Sequence, residues 1–243
     1  MLMEQNRLHI LAFGAHADDV EIGMAGTIAK LSGEGRHIGI CDLTEADLSS
    51  NGNVELRKEE AAIAAETMGV SVRMSLGFPD RGLFLKEEYI KKVAAVIRRF
   101  KPQIVFAPYL EDRHPDHGNC ARIVEEAVFS AGIRKFLTDG YDEPHRVERM
   151  YFYMINGFHN PDFTFDISDV MDKKLAALRA YKSQFELTAE SVQTPLVNDY
   201  IETVEAREKM FGKLVGVTYA EGFKTKVPLV LKHDLLGEEL CKN

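Results

Sequence analysis

The sequence predicts an α/β fold: a Rossmann-like, doubly wound, mostly parallel sheet in the strand order 3-2-1-4-5, with a less regular C-terminal portion. Two patterns predict it. Through the first half of the chain, short apolar runs alternate with longer segments whose apolar residues recur at helical spacing. That is the signature of βαβ units joined by right-handed crossovers. The runs are also nearly continuous in apolar character, as strands buried on both faces should be. For such units the order 3-2-1-4 is the default winding.

Leu8 to Gly14 reads as the first strand. Glu4, Arg7 and His9 around its start set it apart from a signal peptide or a membrane span. Ile22 to Leu31 is the first helix, with Ile22, Ala25, Ile28 and Ala29 on one side and a stop at Gly33 and Gly35. His37 to Leu43 is the second strand, and Asn53 to Met68 a helix ended by Gly69. Val72 to Phe78 is the third strand, closed by Pro79; Lys86 to Phe100 is a helix stopped before Pro102. Gln103 to Pro108 is the fourth strand, and His117 to Ala131 a further helix. Beyond it, Arg149 to Ile155 and Phe163 to Ile167 read as strands, and Ser168 as the cap of a helix running to Gln184. Asp199 to Gly212 follows as a helix and Val227 to Leu231 as a last short strand. Leu187 to Asn198, with its Ser, Thr and Pro195, is a surface loop and lid candidate. No repeat, low-complexity tract or linker divides the chain, so residues 1–243 are read as a single domain.

Composition narrows the function classes. Hydrophobic residues at 45% and charged residues at 28% are globular values, which removes disordered and fibrous classes. A net charge of −8 without any Lys/Arg cluster argues against nucleic-acid binding. Cys41, Cys120 and Cys241 are odd in number and form no CxxC pair, so neither a disulfide framework nor a thiolate zinc cage is indicated. A reduced, cytoplasmic setting is expected, with Cys41 as a small buried hydrophobe.

Two segments concentrate His and Asp. Ala15-His16-Ala17-Asp18-Asp19-Val20-Glu21 directly follows the first strand, and Glu111-Asp112-Arg113-His114-Pro115-Asp116-His117 directly follows the fourth. In the order 3-2-1-4 these strands are neighbours where the winding reverses, and ligands bind in that crevice beyond the strands' carboxyl ends. Segments nearly a hundred residues apart are therefore expected to face each other. His16, Asp19 and His117 suit a zinc ion, leaving a fourth position for water. Asp18 is left beside the metal, free to take a proton from that water. Oxygen–nitrogen sites of this kind also accept iron, manganese or cobalt. Taken singly, each segment has a plain alternative, a surface histidine or a helix-capping Asp pair; their coincidence at the switch point argues against it. A nucleotide-binding Rossmann protein would carry Gly-x-Gly-x-x-Gly after the first strand, where this chain has His16 and its neighbours. A catalytically silent metal-binding protein would have no use for Asp18.

His16-Ala17-Asp18-Asp19-Val20-Glu21, followed by Gly23 and Gly26, resembles the opening motif of the LmbE-like (PIG-L) deacetylases, and His114-Pro115-Asp116-His117 resembles their second motif. The likeness extends over most of the chain and is greatest to the Bacillus N-acetylglucosaminyl-malate deacetylase type of bacillithiol biosynthesis. Ala17 stands where that family usually has Pro, a difference of backbone rigidity. The resemblance implies a zinc-dependent hydrolase that removes the N-acetyl group from an N-acetylglucosamine conjugate, with chitooligosaccharides or other N-acetyl sugars as the alternative substrates. It implies His16, Asp19 and His117 as zinc ligands and Asp18 as general base. His114, held by Asp116, would act as an imidazolium that stabilises the oxyanion or protonates the leaving amine.

The same resemblance gives Arg57 a substrate-binding role, although its setting in Glu55-Leu56-Arg57-Lys58-Glu59-Glu60 otherwise reads as a solvated helical charge. Tyr200 would lend its hydroxyl to the oxyanion, and Arg146 would pair with a substrate carboxylate. The partners implied are a small amino-sugar substrate and other copies of the chain, as a hexamer; neither nucleic acid nor membrane is among them. Two readings rest on the residues alone. Asp80-Arg81-Gly82, after the third strand, is a loop facing the same crevice, read equally as lining the pocket and as a turn in which Gly82 supplies the permissive backbone. Glu21, Gly23 and Gly26 belong to a tight start of the first helix, with the glycines allowing close packing.

Overall fold

A computed structural model describes residues 7–189 and 191–230. Its sheet has the strands β1 (Ile10–Gly14), β2 (Ile38–Thr44), β3 (Val72–Phe78), β4 (Ile104–Pro108), β5 (Arg149–Tyr153), β6 (Phe163–Asp166) and β7 (Ala220–Lys224). Their order across the sheet is β3-β2-β1-β4-β5-β7-β6. The first five run parallel, and β7 pairs antiparallel with both β5 and β6. The predicted order 3-2-1-4-5 is therefore observed, and β1 and β4 are hydrogen-bonded neighbours (Leu11 opposite Val105).

The period of two along each buried strand divides the core. On β1, Leu11 and Phe13 face one side, packing with α3 (Glu87–Phe100) and α4 (Pro115–Ala131) through residues such as Val93, Ile97 and Val124. Ile10 and Ala12 face the other side, where α1 (Asp19–Gly33) and α2 (Val54–Met68) contribute Val20, Ile28, Ala64 and Met68. α5 (Met171–Arg179) and α7 (Tyr200–Val215) complete that second layer with Leu178 and Val204; between them lie a short helical turn, α6 (Lys182–Phe185), and a 3-10 turn, Pro195–Val197. Cys41 and Cys120 are free and fully buried, as small hydrophobes; Cys241 lies outside the described residues. Among the described residues no helix is long and apolar enough to cross a membrane.

Several boundaries differ from the sequence reading. α4 starts at Pro115, because proline is pre-organised for the first helical position and His114 accepts the Asp116 N–H as its cap. The helix expected from Ser168 to Gln184 breaks at Ala180–Tyr181, giving α5 and α6, and it begins after Val170. Ser168 serves instead as a clasp: its Oγ donates to Asp166 and accepts the N–H groups of Thr218 and Tyr219. The last strand is β7, Ala220–Lys224, which the sequence reading passed over. Residues 227–230 are not in a strand, and Leu231, the end of the expected one, lies outside the described residues. Glu221 and Gly222 interrupt the apolar pattern of β7, and the reasons are structural: Glu221 is fully buried in a charged network, and a Cβ at Gly222 would meet the Phe211 ring.

α1 itself is not continuous. Met24 has φ −153° and ψ 22°, so a first turn, Asp19 to Gly23, is set off from the rest of the helix. Gly23 and Gly26 permit the close packing expected of them. A Cβ at Gly23 would collide with the Tyr153 ring, and one at Gly26 would lie 2.7 Å from Ile167 Cδ1.

Candidate metal and active site

The loop after β1 and the loop after β4 meet at the carboxyl edge of the sheet, in a cleft of about 290 Å³. That is the small end of the range for small-molecule sites. His16, Asp18, Asp19, His114 and His117 line it, with Arg57 from α2, Asp80 and Arg81 from the loop after β3, and Tyr200 at the start of α7. Thr194, Pro195 and Leu196, in the segment expected to be a lid, form part of its wall.

Asp18 has φ 110°, ψ −26°, a left-handed backbone that an L-residue adopts at a cost of about 1–3 kcal/mol. The turn it makes lets the next residue fold back: Asp19 Oδ2 accepts the N–H groups of Ala15 and His16, each at 2.9 Å. The same carboxylate reaches both histidines of the expected ligand set. Its Oδ2 lies 3.6 Å from His16 Nδ1 and its Oδ1 3.1 Å from His117 Nε2. His16, Asp19 and His117 are thus brought together. The donor nitrogens of His16, His114 and His117 also lie within 4.8 Å of one another, a second set of ligand atoms facing the same point.

The surroundings of these histidines carry an excess of negative charge. Asp18 pairs with Arg57 and Asp116 with Arg81, which leaves Asp19, Asp80 and Asp112 against imidazoles. Burial alone would lower the His117 pKa, but the Asp19 charge and the contacts to Asp112 and Asp19 raise it to about 9. His16 is likewise held well above its ordinary value, burial being outweighed by Asp116, Asp19 and Asp80. An oxygen–nitrogen cage with uncompensated carboxylates is the environment a divalent cation neutralises. Behind His117, Asp112 Oδ1 lies 3.0 Å from Nδ1, off the line of its N–H. A carboxylate backing a histidine's far nitrogen is a regular feature of metal sites. By these tests the residues present fit a divalent metal.

Asp18 is buried, and burial raises its pKa to about 6 against the lowering effect of Arg57. Arg57 Nη2 lies 3.3 Å from Asp18 Oδ2 and also donates to the Ala17 carbonyl. Read from the sequence as a surface charge, Arg57 is 3% exposed; α2 turns it inward over the Tyr181 ring.

Two expectations need correction. The Asp116 carboxylate does not hold His114: it accepts the Arg81 backbone N–H at 2.7 Å and Arg81 Nη1 at 3.1 Å, and faces His16. His114 is held by the Asp116 backbone instead, and its pKa is lowered by burial and by the neighbouring His117 and His16 charges. Its Nδ1 accepts the Asp116 N–H, so in the neutral imidazole that this lowering favours the proton sits on Nε2. Arg146 is exposed and absent from the cleft. It precedes β5, at the edge where the parallel strands begin, and its neighbour His145 contacts Pro102 there. Tyr200 does line the cleft; burial raises its hydroxyl's pKa, and that hydroxyl lies 3.1 Å from the Ile155 carbonyl and 3.2 Å from Asn156 Oδ1.

Asp80 and Asp112 carry more of the site than the sequence suggested. Asp80 lies 3.2 Å from His16 Nε2, and Asp112 gathers the His114 N–H, the Asn156 N–H and the Asn156 side-chain amide. Asp80 stood in a noted strand-end turn, and its position facing the crevice was the available signal. Nothing in sequence spacing ties Asp112 to Asn156.

Comparison with known proteins agrees with this geometry. The family described as GlcNAc-PI de-N-acetylase (PIG-L) matches residues 11–128, a span holding both His/Asp loops. Over 238 residues the chain is 34% identical to diacetylchitobiose deacetylase of Thermococcus kodakarensis, covering 92% of this chain and 85% of that one. It is 28% identical to a probable N-acetyl-alpha-D-glucosaminyl L-malate deacetylase 2 of Bacillus cereus, covering 81% and 93%. Among solved structures, the conserved protein TT1542 of Thermus thermophilus superposes with a TM-score of 0.85 at 39% identity, covering 93% of this chain and 97% of that one. Likeness of this extent, carried through the two loops that meet at the β1–β4 edge, means that the chain belongs to the PIG-L (LmbE-like) deacetylase family.

Proposed function

We propose that this protein is a zinc-dependent hydrolase that removes the N-acetyl group from N-acetylglucosaminides, with a short chitooligosaccharide as substrate. The observation that carries the reading is Asp18: a buried carboxylate with a pKa near 6, beside but not within the His16–Asp19–His117 cluster. A divalent metal held by His16, Asp19 and His117 would polarise the acetyl carbonyl and acidify a bound water.

The chain's own residues supply the rest. Asp18, ionised above pH 6 and steadied by Arg57, accepts the proton of the attacking water. His114, neutral with its proton on Nε2, donates a hydrogen bond to the oxygen that gains charge as the acetyl carbon becomes tetrahedral. Asp18, once protonated, is the group that returns a proton to the departing amine. Tyr200 and Arg57 flank the sugar, and Thr194 to Leu196 screen it from solvent.

The substrate assignment follows the 34% identical diacetylchitobiose deacetylase rather than the 28% identical malate-type enzyme. The exposed position of Arg146 supports it as well, since that arginine was the group assigned to an acidic aglycone. Turnover of N,N′-diacetylchitobiose, N-acetylglucosaminyl-malate and free N-acetylglucosamine by the zinc-loaded protein tests the reading. Release of acetate is expected, fastest from the disaccharide. Preference for the malate conjugate would reverse the substrate assignment, and no acetate from any of the three would remove the activity.

A further inference from the structure

The catalytic turn stands on a buried charged scaffold built by the C-terminal half of the chain. In an unbroken helix the Gly26 N–H would bond to the Ile22 carbonyl. The break at Met24 separates them, and side chains fill the gap. Glu221 of β7 accepts the Gly26 N–H at 2.9 Å and the Thr27 N–H at 2.7 Å, capping the second part of α1. Lys174 Nζ, from α5, donates to the Ile22 carbonyl at 2.9 Å and to Glu221 Oε1 at 2.6 Å, bridging the two halves. Arg207 of α7 donates to the same carbonyl at 2.9 Å. Glu208 Oε1 lies 2.9 Å from Lys174 Nζ and 2.8 Å from Arg207 Nη2, so that two cations meet two anions. Lys174, Glu208 and Glu221 are fully buried.

Ile22 lies one turn beyond Asp18: its N–H donates to the Asp18 carbonyl at 2.9 Å, and its side chain lines the cleft. Its carbonyl is therefore a lever on the turn that carries Asp18 and Asp19. A buried ionic network is a weak source of stability, because desolvation offsets its attraction. Helix continuity would also be simpler to achieve with an ordinary i to i−4 bond. The arrangement gains something else, a fixed angle between the first turn and the remainder of α1.

We propose that Lys174, Arg207 and Glu221 are positioning residues that set the orientation of the Asp18–Asp19 turn, and through it metal retention and turnover. This rests on the metal-dependent reading of the site. The test uses Glu221→Gln, which keeps the shape but loses the charge, and Lys174→Met/Glu208→Gln, which removes one charge of each sign and leaves the network neutral. Zinc affinity by chelator competition is expected to fall about 10–100-fold, the usual cost of losing outer support for a ligand. kcat on N,N′-diacetylchitobiose falls with it, with KM little changed. In crystals of the metal-free variants the distance from Asp19 Oδ1 to His117 Nε2 should exceed the present 3.1 Å, and the Gly26 and Thr27 amides should exchange faster. A lowered Tm with zinc affinity, kcat and that distance all retained would overturn the proposal. If Glu221→Gln does not fold, the charge-neutral double variant decides. If the unaltered protein binds no zinc, it is the reading of the site that fails, and the distance and amide exchange still decide the positioning role.

Discussion

His114 and Asp116 are joined through backbone rather than carboxylate: the Asp116 N–H donates to His114 Nδ1 at 3.3 Å, while the Asp116 side chain turns to Arg81. The two residues therefore act by separate routes, which mutation can distinguish. His114→Ala removes the donor aimed at the oxyanion, and kcat should drop about 10²–10³-fold with zinc still bound. Asp116→Asn leaves the His114 cap intact but unties Arg81 and removes the charge facing His16, so its main effects should be on KM and zinc affinity. Steady-state kinetics of the zinc-loaded variants separate the cases. Equal loss of kcat in both would mean that the carboxylate does serve His114.

The Asp18–Arg57 pair gives a pH dependence with a definite sign. A general base must be ionised, so activity should decline as pH falls through the Asp18 pKa, which is about 6 before a cation lowers it further. Arg57 holds that pKa down. Arg57→Met should therefore raise it and move the acid limb of kcat/KM to higher pH. The measurement is a kcat/KM profile for both forms at saturating zinc. An acid limb that stays in place would show that another group titrates there.

The sheet was legible in the sequence because the first four strands read as apolar runs, β1, β2 and nearly all of β4 being buried and β3 lying at the sheet's edge, and the crossover rule then determines their order. The crevice followed from that order, so His16, Asp18, Asp19 and His117 were placed in one cleft, as the structure has them, without knowledge of any contact. Arg57 was not legible from its own setting, because a charge on a mixed-sign helix looks the same whether it faces water or a buried Asp. β7 was missed because Glu221 and Gly222 break the strand pattern, and each does so for a long-range reason: a cap on α1 and room for Phe211. Patterns report burial and period, not partners 195 residues away.

Gly23 tests how tightly the Asp18–Asp19 turn is packed. A methyl group there meets the Tyr153 ring, which is fully buried and whose hydroxyl donates to the Phe13 carbonyl at 2.7 Å. The ring has no room to retreat without breaking that bond. Gly23→Ala should destabilise the protein by about 1–3 kcal/mol, the cost of overpacking a core. Gly33→Ala, with open space around the added carbon, serves as the control and should be neutral or slightly stabilising. Urea denaturation of the two variants makes the comparison; equal midpoints would show that the turn yields easily.

Asp112 offers the last test, because it links the β4 loop to His117 without taking a ligand position. Its carboxylate is kept ionised: burial works against the charge, but His117 and the His114 and Asn156 N–H groups lower its pKa. Asp112→Asn keeps the size of the side chain and part of its acceptor capacity while removing the charge behind His117 Nδ1. The imidazole then loses the partner that fixes its orientation and strengthens it as a ligand. Zinc affinity should fall about 10–100-fold, with kcat at saturating zinc falling less. Asn156→Ala, which removes only an amide donor to the same carboxylate, should have a smaller effect on affinity. Chelator competition on both variants is the measurement, and an Asp112→Asn protein that binds zinc as tightly as the unaltered chain would show that His117 needs no such support.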